Sequence, residues 1–219
     1  SRFVVSTPGG SFPVSTKLIG VHNVSNILAA ITAALALRID LGHIKKGVES
    51  ADLVPGRLEG VDAGQPFKVF VDYAHTEGAL YNVLGLLKKT AGRRILTVFG
   101  CGGNRDVHKR PLMGKAACAL SDHVVITSDN PRFEEPEAII KDIVCGVKED
   151  YSNYDIVIDR RRAIERTLAM AGPDDIVLIA GKGHEDCQIV KEKVVPFDDR
   201  EVARSFLKAL TAKGRKRAR

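Results

Sequence analysis

The sequence predicts an α/β protein with a mainly parallel sheet and helices on both faces. Three observations carry that class. Apolar runs at residues 67–71, 95–99, 123–127, 156–158 and 176–180 are continuous rather than alternating, as strands buried on both faces require. Apolar residues recur at helical spacing between runs, as Leu80, Val83, Leu84 and Leu87 and again as Ile140, Ile143, Val144 and Val147. Strands alternating with helices combine into parallel βαβ units.

Taken in order, "SRFVVSTPGGSFPVSTKL" alternates apolar with turn residues and reads as two strands. In "GVHNVSNILAAITAALALRIDLG", Val24, Ile27, Leu28, Ile31 and Leu35 mark one helix face, with the helix expected to end at Gly42. A shorter helix is expected at 43–51, and the chain divides near "LVPGRLEGV". Two strands and two helices do not close a core alone, so this opening is expected to be the end of a domain belonging to a longer protein. Beyond residue 58 the α/β pattern takes over. Pro111 and Pro136 suit first-turn positions, and Asp198 with Glu201 suits a capping box for the last helix.

The chain has 219 residues and a formal charge of +6, of which Lys213, Arg215, Lys216, Arg217 and Arg219 supply five. The rest is close to neutral, so residues 213–219 read as a basic disordered tail and no nucleic-acid partner is expected. Basic residues are not interleaved with aromatics as in single-strand binders. Cys101, Cys118, Cys145 and Cys187 are far apart, and there is no long apolar span. These features predict a reduced, cytoplasmic protein without membrane insertion.

In parallel sheets ligands bind beyond the carboxyl ends of the strands, which makes four exits the places to look for chemistry: "DYAHTEG", "GCGGNRDVHKRP", "SDNPRFEEP" and "GKGHED". The glycine cluster could cradle an anion or simply turn tightly; it is not GxGxxG. Asp72 and His75 could orient a metal-bound phosphate or cap the helix that Thr76 begins. His184 lacks a His or Cys at zinc-ligand spacing.

"DNPR" is more specific. Pro131 restricts the backbone and holds the residues around it. An Asp129 carboxylate and an Arg132 guanidinium held together match the ammonium and carboxylate of a free amino acid. Glu185 offers a second acceptor for an ammonium and Arg105 a second clamp for a carboxylate. The alternative is an internal Asp129–Arg132 surface pair, contributing about 0–1 kcal/mol.

The ordered motifs "GVHNVSN", "PGRLE", "DYAHTEGAL", "FGCGGNRDVHKRPLMG", "TSDNPRFEEPEAII" and "AGKGHEDCQI" resemble the Mur ligase family, in the branch that adds meso-2,6-diaminopimelate. The resemblance runs from residue 1 to about residue 210. It implies residues 1–56 as the carboxy-terminal remnant of a central ATP-binding domain and 57–212 as a Rossmann-like, amino-acid-binding domain. It also implies an ATP-dependent acid–amino-acid ligase of peptidoglycan synthesis. ATP would activate the D-glutamyl carboxylate of a UDP-N-acetylmuramoyl dipeptide as an acyl phosphate, which the diaminopimelate amine attacks.

By match to the family motifs, Arg105, Asp129, Asn130, Pro131, Arg132, Gly181 and Glu185 would form the amino-acid site. Asn23 and Asn26 would lie near the nucleotide. Arg57, Asp72 and His75 would face ATP and the transition state. Lysine-adding relatives carry a different tetrapeptide at "DNPR", since lysine lacks the second carboxylate that Arg132 would pair with. The 219 residues contain no GxxxxGK[ST] loop. The UDP-binding domain and the carbamylated lysine that holds Mg2+ in the family are also missing, so this chain is expected to be inactive alone. "HTEGAL" departs from the family, which more often has Pro and an acid after Thr. The remaining alternatives are a superfamily ligase adding another amino acid such as L-lysine, and a stand-alone amino-acid-binding module.

Overall fold

The computed structural model describes residues 1–51, 54–91 and 94–217. It contains two compact units, Ser1–Pro55 and Gly56–Arg219.

In the first unit, β1 (Arg2–Thr7) and β2 (Gly10–Ser15) form an antiparallel hairpin. Helices α1 (Val21–Ala36) and α2 (Leu41–Ser50) follow. Val5, Val14, Leu18, Ile27, Ile31 and Ile44 make a small core. The expected end of α1 at Gly42 is corrected: the helix stops at Ala36. Arg38 takes φ 59°, its N–H donates to Leu35 O and the Ile39 N–H to Ala34 O. That is a Schellman closure with arginine where glycine is usual, so the sequence carried no stop signal. Gly42 lies instead in the first turn of α2, where Asp40 accepts from the Gly42 and His43 N–H groups.

The second unit is built on six strands, β3 (Glu59–Gly60), β4 (Lys68–Asp72), β5 (Ile95–Phe99), β6 (His123–Ile126), β7 (Tyr154–Ile156) and β8 (Ile176–Ala180). Their order is β3-β4-β8-β5-β6-β7, and all pairs are parallel except β3 with β4. Successive strand residues face opposite cores. Ile95, Phe99, Ile126 and Leu178 pack with Leu80, Met113 and Ile143 from α3 (Glu77–Ala91), α4 (Lys109–Leu120) and α5 (Pro136–Cys145). Leu96, Val98, Val125 and Val177 pack with Ile164 and Leu207 from α6 (Arg160–Met170) and α7 (Asp199–Arg217). Burial on both faces explains the continuous apolar runs.

Two expectations change in detail. The fourth apolar run, 156–158, is not the strand itself: the ladder of β7 is Tyr154–Ile156, set by Val124 pairing with Tyr154. Residues 157–158 continue extended, with Ile158 O accepting from Ser128 N and Thr127 Oγ1. A hairpin of β9 (Cys187–Val190) and β10 (Lys193–Pro196) follows β8. The capping box of α7 is half formed: Asp198 accepts from Arg200 N, but Glu201 pairs with Arg204. Helix α7 continues to Arg217, and residues 218–219 lie outside the described residues.

Candidate amino-acid site

The exits of β5, β6 and β8 are fastened together mainly through backbone. After β6, Asp129 and Asn130 are buried, and Arg132 adopts φ 53°. Arg132 N donates to Ile189 O at 3.0 Å and its carbonyl accepts from Lys191 N at 2.6 Å, which pins "DNPR" to the β9–β10 turn. The loop after β5 presses against it: Gly103 N donates to Asn130 O at 2.9 Å, and Arg132 donates to Gly103 O at 2.9 Å. A Cβ at Gly103 would collide with the Pro131 carbonyl, and one at Gly100 with that of Thr127. The glycine cluster therefore serves close backbone approach between exits. Glu134 completes the clasp, bonded by Asn104 N and by the buried Arg110, which also reaches Asp142. Its pKa lies below the ordinary glutamate value, chiefly because of Arg110 and the Asn104 N–H.

From β8 come Gly181, Lys182 and Glu185. Gly181 takes φ 114°, and a Cβ there would sit 3.0 Å from Asp129 Oδ2. Lys182 is fully buried and donates to Asn130 Oδ1 at 3.0 Å and Glu185 Oε2 at 2.9 Å. Asn130 Nδ2 donates to the same Glu185 oxygen at 2.8 Å. Burial pushes the Glu185 pKa up, yet Lys182, Asn130 and Arg132 together outweigh it and hold the group below its ordinary value.

Under this layer lies the buried pair Arg160–Asp199, joined at 2.8 and 2.7 Å. The same guanidinium donates to Ser128 O at 3.3 Å and Ala180 O at 3.0 Å, the carbonyls just before Asp129 and Gly181. It thus ties the ends of β6 and β8 to α7. Burial alone would lower the Arg160 pKa, but Asp199, then Asp129 and Glu185, leave it raised.

These exits enclose a cleft of about 230 Å³. Arg105, Asp129, Asn130, Arg132, Gly181 and Glu185 line it together with His75. Asp129 Oδ1 accepts from Asn130 N at 2.6 Å, while Asp129 Oδ2 and Glu185 Oε1 take no hydrogen bond among the described residues. No ion pair joins Asp129 to Arg132 among the described residues, so the internal-pair alternative is not what forms. Pro131 is buried behind the cleft rather than lining it. Cys101 also lines it, but burial pushes its thiol up to about 12, which leaves it unreactive at neutral pH.

The exit of β4 borders the same cleft through Tyr73 and His75. Asp72 is buried, and its oxygens accept from Leu58 N at 2.7 Å and Ala74 N at 2.8 Å, a bracing role within the fold. Thr76 caps α3 by accepting from Ala79 N. The Tyr73 ring gathers His75 at 4.6 Å, His184 at 5.3 Å and the Arg57 guanidinium at 5.1 Å. In the first unit, Asn23 is buried and donates to Ile19 O at 2.8 Å, while Asn26 is exposed on α1. Among the described residues no three His, Cys, Asp or Glu side chains gather as a metal site.

Lys182, Arg160, Asp199, Arg110 and Glu134 were not singled out by sequence reasoning. Their charges sit in runs such as "DRRRAIER" that look like solvated faces, and nothing local distinguishes them.

Known proteins resemble the chain at both levels. It is 48% identical over 209 residues to the UDP-N-acetylmuramoyl-L-alanyl-D-glutamate–2,6-diaminopimelate ligase of Syntrophomonas wolfei, covering 95% of this chain and 43% of that protein. The corresponding protein of Solibacter usitatus is 49% identical over 207 residues, covering 94% and 42%. The chain thus spans less than half the length of these relatives. A solved structure of a ligase of the same name superposes with a TM-score of 0.70 at 40% identity, over 96% of this chain and 43% of that one. The folylpolyglutamate synthase of Mycobacterium tuberculosis shares the fold at 22% identity and a TM-score of 0.64, over 82% and 42%. The sequence profile of the Mur ligase glutamate ligase domain matches residues 56–183, more than half of the chain, and the chain therefore belongs to the Mur ligase family.

Proposed function

We propose that this chain is the amino-acid-selecting part of an ATP-dependent ligase that adds meso-2,6-diaminopimelate to UDP-N-acetylmuramoyl-L-alanyl-D-glutamate in peptidoglycan synthesis. The observation that carries the reading is the charge layout of the cleft. Asp129 Oδ2 and Glu185 Oε1 are open acceptors on one side, and Arg132 and Arg105 bring guanidinium groups to the same space. One amino-acid centre of diaminopimelate supplies an ammonium for the carboxylates and a carboxylate for the guanidinium groups. With that centre gripped, its second amine is left to attack the acyl phosphate, forming the amide and releasing phosphate. Gly181 leaves room beside Asp129 for the ammonium.

Residues 1–56 read as the end of the ATP-binding domain, 57–212 as the amino-acid domain and 213–219 as a basic extension. ATP with Mg2+ supplies the activating phosphoryl group and would be held mostly by parts of the protein beyond these residues. Asn23 and Asn26 in the first unit are the side chains offered toward the nucleotide, and Arg57, Asp72 and His75 in the second are those offered toward ATP and the transition state. The dipeptide partner, the cytoplasmic location of its nucleotide substrate and the absence of a nucleic-acid role follow from the same reading. No helix among the described residues is long and apolar enough to cross a membrane.

Calorimetry on the chain tests the site. Meso-2,6-diaminopimelate should bind in preference to L-lysine, and Arg132→Ala should remove about 1.5–3 kcal/mol of binding, the range for a hydrogen bond to a charged group. Equal affinity for the two ligands would reject the assignment.

A further inference from the structure

Lys182 is a fully buried cation with a place in the site that the established motif does not explain. Its two neighbours are glycines at positive φ, Gly181 at 114° and Gly183 at 55°. A Cβ at Gly183 would come within 2.7 Å of the Tyr73 Cβ, so the loop depends on glycine there. This backbone path carries Lys182 into the protein, where its ammonium bonds Asn130 Oδ1 and Glu185 Oε2. Asn130 Oδ1 also accepts from Ile189 N at 3.0 Å, and its amide nitrogen bonds Glu185 Oε2. One oxygen of Glu185 is thereby bound twice inside the protein while the other remains open to the cleft.

Resting on the function proposed above, we infer that Lys182 is a positioning residue for amino-acid recognition: it fixes Glu185 through Oε2 so that Oε1 is presented to the ligand ammonium. Asp129 and Glu185 line the same cleft, and burial of the Glu185 carboxyl favours its neutral form. A buried ammonium beside Glu185 opposes that and keeps the carboxylate ionised. The other titratable and charged groups facing this region are Asp129, Arg132, Arg105, Lys109 and His75 around the cleft, and Arg160 behind it. Lys182 is the one that bonds the Glu185 side chain directly.

The test has a ligand-free arm and a binding arm. Carbon-13 NMR of the Glu185 carboxyl in the wild-type chain should show a titration midpoint below the ordinary glutamate range, rising in Lys182→Met and in Lys182→Gln. A wild-type midpoint within the ordinary range, or one unchanged in a variant whose near-ultraviolet circular dichroism stays native, would overturn the inference. In the second arm meso-2,6-diaminopimelate is titrated into Lys182→Met, Glu185→Gln and the double variant. Each single change should weaken binding by about tenfold or more. The double variant should be little worse than the worse single one, because the two residues act as a unit. Additive losses would assign Lys182 an independent structural role. Absence of wild-type binding would count against the proposed function, while the carboxyl titration would still decide the role of Lys182.

Discussion

The two ends of the six-stranded sheet invert the usual link between cavity size and chemistry. At the amino ends of β4 and β8 lies an open hollow of about 630 Å³, bordered by Val61, Phe67 and Val69 with Asp62, Lys68 and Asp174. Its polar groups mostly serve local turns: Gln65 bonds Val61 O, Ala63 N and Phe67 O, and Asp62 accepts from Gly64 N. At the carboxyl ends the cleft is smaller, about 230 Å³, but it stands on Asp129, Asn130, Lys182, Arg160 and Asp199, all buried. Burying charge costs several kcal/mol per ion unless pairing offsets it. Where a chain accumulates such groups, electrostatics marks the site better than volume does.

The largest test of this contrast removes a buried cation. Arg160→Met leaves Asp199 buried without its partner and frees the carbonyls of Ser128 and Ala180. Stability should fall by about 3–5 kcal/mol in urea denaturation. A loss under about 1 kcal/mol would mean that the pair does not organise this end of the sheet.

A smaller effect is expected at the clasp. Glu134 has a depressed pKa in the folded protein, so its contribution is present above the ordinary glutamate pKa and is lost as pH falls through the depressed value. Glu134→Gln should cost about 1.5–3 kcal/mol at neutral pH. The gap between wild type and variant should close on acidification below the ordinary carboxylate range, as read from urea midpoints at successive pH values. A gap independent of pH would deny the carboxylate its role.

At the other end of the sheet, Lys68→Ala in the wall of the larger hollow should change stability by no more than about 0.5 kcal/mol and leave diaminopimelate binding unaltered in calorimetry. A marked loss of binding would give that hollow a function and erase the contrast.

Much of the fold was legible because its strands are buried on both faces. The runs at 95–99 and 176–180 coincide with β5 and β8, where every residue is buried. The edge strand β7 was displaced because burial and ladder pairing part company there. The β9–β10 hairpin escaped because its strands are half-buried or exposed and its turn places Lys191 at φ 54°, without the usual Asn-Gly or Asp-Gly signal. The cleft residues were legible as residue types on loops at strand exits. Lys182 and Arg160 were not, since a sequence does not reveal which of its charges fold inward. Asp72 was read with its alternatives open, and it accepts backbone bonds from Leu58 N and Ala74 N.

The left-handed backbone of Arg132 sets evolution and engineering at odds. A non-glycine residue in that conformation costs about 1–2 kcal/mol, and glycine would relieve it, offset in part by the greater freedom of its unfolded chain. Glycine would also forfeit the guanidinium that reaches Gly103 O and faces the cleft. A laboratory screen rewarding heat resistance alone would therefore tend to discard this arginine, and a library meant to keep ligand recognition should hold position 132 fixed while varying its surroundings.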